Sequence, residues 1–172
     1  MKRLILMRHA KTEAWHEGID DHGRALTTRG HADATRVGET LKSQDWIPDN
    51  VLVSTARRAR ETWLELQPIF DGAAHSSLDE LYLTGVRGLE DIIRDVPRSD
   101  TLMIIGHNPG LHDLAREITR QAGSHDHHAS LVLSEKMPTG AAALFEANED
   151  GSFQYSTFKL HAFIRPKELK KS

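Results

Sequence analysis

The 172-residue sequence contains no cysteine and no long apolar run. Without cysteine, the chain has no disulfide, no thiolate nucleophile and no thiolate metal ligand. No apolar stretch approaches the roughly 18 residues of a membrane-spanning helix, so we expect no membrane insertion. The apolar start from Leu4 to Met7 stops at Arg8, which makes it shorter than a signal-peptide core of about 7–15 residues and typical of a first β-strand. We predict a cytoplasmic location.

The sequence also has no strong excess of one charge. Its net charge is −3, and a local concentration of basic residues occurs only in the tail, at Arg165, Lys167, Lys170 and Lys171. An extended surface for nucleic-acid phosphates is therefore not expected, and we predict no nucleic-acid partner. The length fits one domain, which we predict to cover residues 1–172 and to bury roughly 70% of its unfolded surface.

Short apolar runs rich in valine, isoleucine and leucine alternate with longer amphipathic stretches, as in an α/β domain of layered strands and helices. Three runs are predicted strands: 4–7, 51–53 and 101–105. A helix is predicted to begin at Thr27 or Thr28, whose hydroxyls suit an N-cap. Its core face is predicted to include Ala34, Val37 and Leu41.

A second helix is predicted directly after Ser54, where apolar and small residues recur at helical spacing: Ala59, Thr62, Trp63 and Leu66. A short helix is predicted from about Gly88 to Val96. Two strands, 141–146 and 153–160, are predicted to form a hairpin around the turn residues 148–151. The three tryptophans, Trp15, Trp46 and Trp63, are interpreted as core or edge packing.

Polar residues stand where each predicted strand of the sheet ends. Ligands of open α/β sheets bind outside the carboxyl ends of the strands, so these residues are the first candidates for a site. They are Arg8 and His9 after the first strand, Ser54 with Arg58 after the second, and His107 with Asn108 after the third. Each group alone also fits a structural role, since arginines 57, 58 and 60 could form a solvated helix face and a turn histidine is common.

Taken together, these residues supply two guanidinium groups and two imidazoles to one rim, a set suited to a dianionic phosphoryl group. Guanidinium groups such as those of Arg8 and Arg58 bind phosphoryl oxygens in bidentate fashion. A neutral imidazole oriented through its other nitrogen could attack phosphorus, which makes His9 the candidate nucleophile. His107 would stabilise the developing charge, and a helix starting near Pro109 would add free N–H groups. The scheme needs no metal and no other cofactor.

Four segments of the sequence resemble motifs of the histidine phosphatase superfamily. MRHAKTE resembles its arginine-histidine-glycine signature, and LTTRGHADA resembles its leucine-threonine-x-x-glycine helix start, here Leu26, Thr27 and Gly30. VSTARRARET is similar to a motif of serine, then arginine four residues later and threonine eight later, here Ser54, Arg58 and Thr62. IIGHNPGL is similar to the second-histidine motif, here Gly106, His107 and Asn108. The matches lie in family order over about positions 4 to 115.

The resemblance implies a phosphoglycerate-mutase-like fold, a three-layer α/β/α sandwich with a mostly parallel central sheet, and a single histidine phosphatase domain. It makes His9 the nucleophile and Arg8, Arg58 and His107 the phosphate ligands, with Asn108 beside them in the substrate-binding set. Arg58 is chosen over Arg57 because the interval from Ser54 fits it. The short length and the GHNPG segment are similar to the small SixA-like phosphohistidine phosphatases.

The sequence departs from the family pattern at two places. Ala10 replaces the usual glycine after the nucleophile, a change that a turn outside the left-handed region accepts. The glutamate general acid of many relatives has only a loose counterpart in Glu80, with Asp79 beside it, and Glu80 could equally cap or face solvent. A phosphorus–nitrogen bond breaks without a strong proton donor, so a site of this kind suits phosphohistidine.

Two enzyme hypotheses and one binding hypothesis follow. The first is a metal-independent phosphatase that hydrolyses protein phosphohistidine through a covalent phosphohistidine on His9. The second is a phosphomonoesterase for a small phosphorylated metabolite, with Glu80 as general acid. The third is a phosphate-recognition module without catalysis. The expected partner is a phosphorylated protein or small molecule, and we expect a monomer.

Several histidines remain outside this scheme. The segment from His125 to His128 carries imidazole and carboxylate groups, but ligands this adjacent seldom converge on one ion, so we predict no metal site. His16 and His22 lie in the polar loop after the nucleophile. They are interpreted as surface residues, with the mouth of the pocket as the alternative.

Overall fold

The computed structural model describes residues 1–148 and 152–169. Its strands are β1 (Arg3–Arg8), β2 (Asn50–Ser54), β3 (Ala74–Leu78), β4 (Thr101–Gly106), β5 (Ala142–Ala147) and β6 (Phe158–Ile164). Its α-helices are α1 (Thr28–Ser43), α2 (Arg57–Leu66), α3 (Val86–Asp95), α4 (Gly110–Ala122) and α5 (His127–Glu135). None of the helices in these two ranges has the length and apolar character needed to cross a membrane.

The strands form a single mixed sheet in the order β3-β2-β4-β1-β5-β6. β3, β2, β4 and β1 run parallel to one another, whereas β5 pairs antiparallel with β1 and with β6. The predicted mostly parallel sheet is confirmed. Since β1, β2 and β4 are adjacent and parallel, the residues that follow them meet at one edge of the sheet.

Both faces of the sheet are covered by helices, which gives the predicted three layers. In β1, Leu4 and Leu6 pack into a core with residues of α3, α4 and α5. Ile5 and Met7 point to the opposite face and pack with residues of α1 and α2. Successive side chains of a strand alternate between faces, so a strand buried on both sides must be apolar throughout. This explains why the first three predicted strands are unbroken apolar runs.

The sequence-based prediction was wrong for the start of β6 and for Trp15. The segment predicted as a strand from Phe153 becomes strand only at Phe158, because Tyr155–Thr157 forms a 3-10 turn and Phe153 packs on the Phe158 ring at 5.4 Å. β5 and β6 do pair as predicted, while residues 149–151 of the predicted turn lie outside the described residues. Trp46 and Trp63 are buried as predicted, but Trp15 is 64% exposed.

Two elements, β3 and α5, were not predicted. β3 (AHSSL) is an edge strand whose side chains are mostly exposed, so it needs no apolar alternation. α5 begins after the predicted loop at Gly123, with Asp126 as its N-cap. α3 was predicted but begins at Val86, two residues before Gly88.

The start of α1 is tied to the chain that follows β1. The Thr27 hydroxyl accepts a hydrogen bond from the Gly30 N–H at 3.0 Å, which caps the helix. The Thr27 N–H donates to the Lys11 carbonyl at 2.9 Å. Gly30 packs so closely on this carbonyl that a Cβ at residue 30 would overlap its oxygen. The leucine-threonine-x-x-glycine segment therefore anchors the loop that carries Ala10 and Lys11 beside His9.

We expect Gly30→Ala to destabilise the protein. Alanine favours a helix by about 1 kcal/mol over glycine, but overlap with a backbone oxygen forces a shift that costs about 1–3 kcal/mol. Urea unfolding should show a lower free energy of unfolding, and Gly72→Ala, where a Cβ meets nothing within 4 Å, should not. Equal stability of the two variants would contradict this account of Gly30.

Candidate active site

His9 follows the last residue of β1 and is held by main-chain contacts on both sides. Its N–H donates to the Gly106 carbonyl at 3.0 Å, and its carbonyl accepts from the Gly140 N–H at 2.9 Å. The ring Nδ1 lies 2.8 Å from the Ala10 carbonyl oxygen. A carbonyl only accepts, so Nδ1 carries the hydrogen and Nε2 of the neutral ring keeps its lone pair.

The surroundings of His9 keep its imidazole neutral. The side chain is 5% exposed, and burial is the main cause that lowers its pKa from 6.5 to about 3. The hydrogen bond to Ala10 raises the pKa, while His107, Arg58 and Arg8 lower it further. The unprotonated ring at neutral pH is the form that can act as a nucleophile.

His107, after the end of β4, packs beside His9 with 5.2 Å between the ring centroids. Its Nε2 lies 2.7 Å from the hydroxyl oxygen of Ser54, the last residue of the neighbouring β2. Burial and then Arg58 lower its pKa to about 4, and Asp21 partly offsets them. The Nδ1 atom is buried and has no hydrogen-bond partner among the described residues, so it can meet an oxygen of a bound group.

Arg58 reaches the same place from the first turn of α2. Its side chain is 3% exposed, and its Nη1 and Nη2 donate to the main-chain carbonyl and the carboxylate of Asp21 at 2.6 Å and 3.0 Å. Arg57 instead lies on the exposed face of α2 and pairs with Glu61 at 2.7 Å. The arginine that was chosen from its spacing to Ser54 is therefore the one that is buried beside His107.

Arg8 and Asn108 share one acceptor on the opposite wall. Arg8 Nη1 donates to the Met137 carbonyl at 3.1 Å, and Asn108 Nδ2 donates to the same oxygen at 2.9 Å. Burial and the nearby positive charge of Arg58 both lower the pKa of Arg8. Two guanidinium groups that are close enough to repel each other form a site that favours an anion.

The third residue of the serine-arginine-threonine motif holds the turn after the nucleophile. The Thr62 hydroxyl accepts from the Ala10 N–H at 3.0 Å and donates to the Arg58 carbonyl at 2.7 Å. Ala10 lies outside the left-handed region, and its methyl packs with Leu26 and Ala34 in a small core. Alanine in place of glycine is therefore accommodated, as its position in the turn predicted.

Sequence reasoning missed Asp21 and Tyr82, which complete the wall around Arg58. The Tyr82 hydroxyl donates to Asp21 Oδ2 at 2.5 Å, and the Tyr82 ring packs edge-on against His107 at 5.5 Å. His22 contacts the other side of the Tyr82 ring at 4.9 Å, whereas His16 is an exposed surface residue. None of these residues has a fixed spacing to a motif; the available signal was only that a buried arginine needs an anionic partner.

The two acidic candidates from the sequence, Glu80 and Asp79, have different surroundings. Glu80 is exposed and lines a groove between β3 and α3 with Leu52, Ser76 and Ile92, a groove that none of the four candidate phosphate-site residues lines. Asp79 is not among the residues that line this groove, and its Oδ1 accepts from the Thr55 hydroxyl at 2.7 Å. Thr55 Oγ1 in turn lies 3.1 Å from His22 Nε2.

The segment from His125 to His128 leads into α5 and has a structural role. Asp126 caps the helix, because its Oδ1 accepts from the Ala129 N–H at 3.1 Å. Within residues 1–148 and 152–169, no three histidine, aspartate or glutamate side chains are grouped so that they could hold a metal ion.

A mostly parallel α/β sandwich with two imidazoles and two guanidinium groups at one sheet edge defines the class: a phosphoglycerate-mutase-like fold with a phosphoryl-type site. The model of the histidine phosphatase superfamily (branch 1) matches residues 4–119. The chain belongs to this superfamily.

The chain is also similar to curated proteins over most of its length. An uncharacterized protein of Mycobacterium tuberculosis is 34% identical over 146 residues, 80% of this chain and 85% of that protein. A chloroplastic protein of Arabidopsis thaliana is 35% identical over 126 residues, and the match spans 66% of this chain and 57% of the relative.

Two solved structures assigned as the phosphohistidine phosphatase SixA superpose with a TM-score of 0.80. The protein of Agrobacterium tumefaciens is 25% identical, with 96% of this chain and 98% of that chain covered. The protein of Nakamurella is 27% identical, with 96% of each chain covered. These likenesses place the chain in the SixA-like branch of the superfamily.

The buried histidines predict acid sensitivity. The pKa of His9 is lowered from 6.5 to about 3 and that of His107 to about 4, so below pH 6.5 the unfolded chain binds protons that the folded chain does not. The free energy of unfolding therefore falls as the pH falls through this window, by at most about 1.4 kcal/mol per pH unit for each imidazole. Above pH 6.5 this contribution is fully present.

Thermal unfolding between about pH 7 and about pH 5 measures this dependence. We expect the double variant His9→Asn/His107→Asn to lose less Tm over this range than the unmodified protein. The same loss of Tm in both proteins would contradict the burial of neutral imidazoles.

Proposed function

We propose that this chain is a metal-independent phosphohistidine phosphatase, in which His9 Nε2 takes the phosphoryl group from a phosphorylated histidine of a protein. One observation carries the proposal. The His9 ring is buried, neutral and fixed by its Nδ1 hydrogen bond to Ala10, and it lies beside His107, the buried Arg58 and the half-buried Arg8. The superposition with proteins assigned as SixA supports the substrate class.

The reaction has two displacement steps at phosphorus. In the first, a bond forms from His9 Nε2 to phosphorus while the bond from phosphorus to the substrate imidazole breaks, and that imidazole, already protonated on its other ring nitrogen, leaves as a neutral group. Arg8 and Arg58 hold the equatorial oxygens, and His107 donates a hydrogen bond to the transferring group. In the second step, water attacks phosphorus and the bond to His9 Nε2 breaks, which returns the neutral ring; one proton of the water stays on inorganic phosphate and the other is released to solvent.

The acidic groups near the site favour phosphorus–nitrogen cleavage. Asp21 is the carboxylate in direct contact with Arg58, and its pKa is lowered to about 2, chiefly by the hydrogen bond from Tyr82. At neutral pH it is ionised and cannot protonate a leaving group. An alkoxide needs such a donor, whereas a protonated imidazole leaves as a neutral group.

The second candidate is a phosphomonoesterase for a small phosphorylated metabolite. Glu80 as its general acid would have to leave the groove between β3 and α3. Asp79 is the carboxylate with a hydrogen-bonded connection toward the site, through Thr55 to His22. If the chain cleaves esters, Asp79 is therefore better placed than Glu80 to supply a proton.

The cytoplasmic location, the monomeric state and the single domain over residues 1–172 stay predictions.

The covalent step is tested by trapping. Incubation with a labelled phosphohistidine protein and a rapid quench should give an adduct that is stable in base and labile in acid. His9→Ala should abolish the adduct and lower kcat/KM by at least about a thousandfold, a loss typical of removing a nucleophile. His16→Ala, in the exposed part of the loop, is the matched control and should keep both. Phosphate binding without an adduct or turnover would instead favour a phosphate-recognition module.

The substrate class is tested by comparing a phosphohistidine protein with a sugar phosphate. We expect kcat/KM for the phosphohistidine protein to be at least about a hundredfold higher than for the sugar phosphate, since the site offers no proton donor to the leaving group of the ester. Glu80→Gln should change neither rate by more than about twofold, as expected for a surface substitution. A preference for the ester that collapses in Glu80→Gln or Asp79→Asn would overturn the proposal in favour of the phosphomonoesterase.

A further inference from the structure

Arg58 is oriented by two residues that come from other parts of the chain. We propose that Asp21 and Tyr82 are positioning residues that hold the Arg58 guanidinium in the orientation needed by the transferring phosphoryl group. The inference rests on the proposed phosphoryl-transfer site but not on whether the substrate is a phosphohistidine or an ester.

Asp21 contacts Arg58 twice. The main-chain carbonyl accepts from Nη1 at 2.6 Å, and Oδ2 accepts from Nη2 at 3.0 Å. Two bonds to the two ends of a planar guanidinium fix its plane as well as its location. The Nε atom is buried and has no partner in the part of the chain that the structure describes. The Asp21 bonds therefore define how Arg58 presents its remaining hydrogens.

Tyr82 and Arg24 hold the Asp21 carboxylate in turn. Tyr82 donates to Oδ2 at 2.5 Å, and Arg24 donates to Oδ1 through Nε at 3.1 Å and Nη2 at 2.8 Å. Both oxygens are thus engaged, although the side chain of Asp21 is 40% exposed and lies in a loop. A carboxylate that served only to neutralise Arg58 would not need this second layer of contacts.

Tyr82 also joins the two halves of the phosphate site. Its ring packs against His107 at 5.5 Å, and the Arg58 Cζ lies 5.8 Å from the ring centroid. The hydroxyl donates to Asp21 and also interacts with the Arg58 guanidinium, while the ring packs near Arg58 and against His107. Removing the hydroxyl alone, as in Tyr82→Phe, therefore tests the bridge without removing the ring.

A bridge of this kind affects the transition state more than the ground state. The equatorial oxygens of the transferring group need donors at fixed places, and a displacement of about 1 Å can cost about a hundredfold in rate. A loosely held Arg58 still attracts a phosphate dianion by charge. Loss of the contacts that Asp21 and Tyr82 make with Arg58 should therefore lower kcat strongly and change KM little. It should also weaken the binding of vanadate, a transition-state mimic, more than the binding of orthophosphate.

The experiment compares Asp21→Asn, Tyr82→Phe and the double variant with the unmodified full chain. We expect kcat/KM on a phosphohistidine peptide to fall about thirtyfold in Asp21→Asn and about tenfold in Tyr82→Phe, mostly in kcat. The double variant should lie within about threefold of Asp21→Asn, because both residues act through Arg58 and their effects do not multiply. Vanadate affinity should fall at least about tenfold and orthophosphate affinity less than about threefold.

Asp20→Asn is the matched control, because it makes the same chemical change one residue away, where the Asp20 carboxylate accepts from the Gly23 N–H at 2.8 Å. It should leave kcat/KM and vanadate affinity within about twofold of the unmodified protein. If Asp21 and Tyr82 only pin the loop, the Tm falls while kcat/KM and vanadate affinity stay unchanged, and the proposal is overturned. Effects that multiply in the double variant would also overturn it.

Failure of the proposed function gives a different result. If the substrate is an ester, the phosphohistidine peptide is a poor substrate of the unmodified protein, yet vanadate still separates the variants from Asp20→Asn. If the unmodified protein neither turns over a substrate nor binds vanadate more tightly than orthophosphate, phosphoryl transfer at this site is wrong, and the positioning role with it.

Discussion

The hydrogen bond from His9 Nδ1 to the Ala10 carbonyl is the interaction on which the proposed chemistry depends. It decides which ring nitrogen keeps the lone pair, and a histidine of the other tautomer could not attack from Nε2. Much of the surrounding structure holds this carbonyl in place. Thr62 binds the Ala10 N–H, and Gly140 donates to the carbonyl of His9. The motif residues around the nucleophile are thus main-chain anchors as much as phosphate ligands.

The second constraint is electrostatic, because the site gathers positive charge before any substrate arrives. Arg58 lowers the pKa of Arg8, and both arginines, together with burial, lower the pKa of the two histidines. Asp21 supplies one compensating charge from the side of Arg58. A dianionic phosphoryl group supplies the rest, and it also favours protonation of His107, the form in which both ring nitrogens donate. Substrate binding and the charge state of the site are therefore coupled.

The sequence predicted what depends on the sheet and failed where side chains meet through loops. The residues after β1, β2 and β4 could be predicted to meet because parallel strands bring their ends together, and Arg58 followed from its interval to Ser54. Asp21 and Tyr82 lie in segments of no fixed spacing, so their contact with Arg58 depends on the tertiary path of the loops. The exposed edge strand β3 and the surface position of Trp15 were missed because neither feature leaves an apolar period.

The same division explains why the chemistry was easier to predict than the substrate. Attack on phosphorus needs the sheet-edge residues, whereas the choice of leaving group depends on which acid reaches the far side of the phosphoryl group. Tyr82 keeps Asp21 ionised, and Glu80 lies in a separate groove. Asp79 is separated from His22 by the Thr55 hydroxyl. A leaving group that tolerates the lack of a strong acid fits these loops better than an alkoxide does, and this physical difference favours phosphohistidine over a phosphate ester.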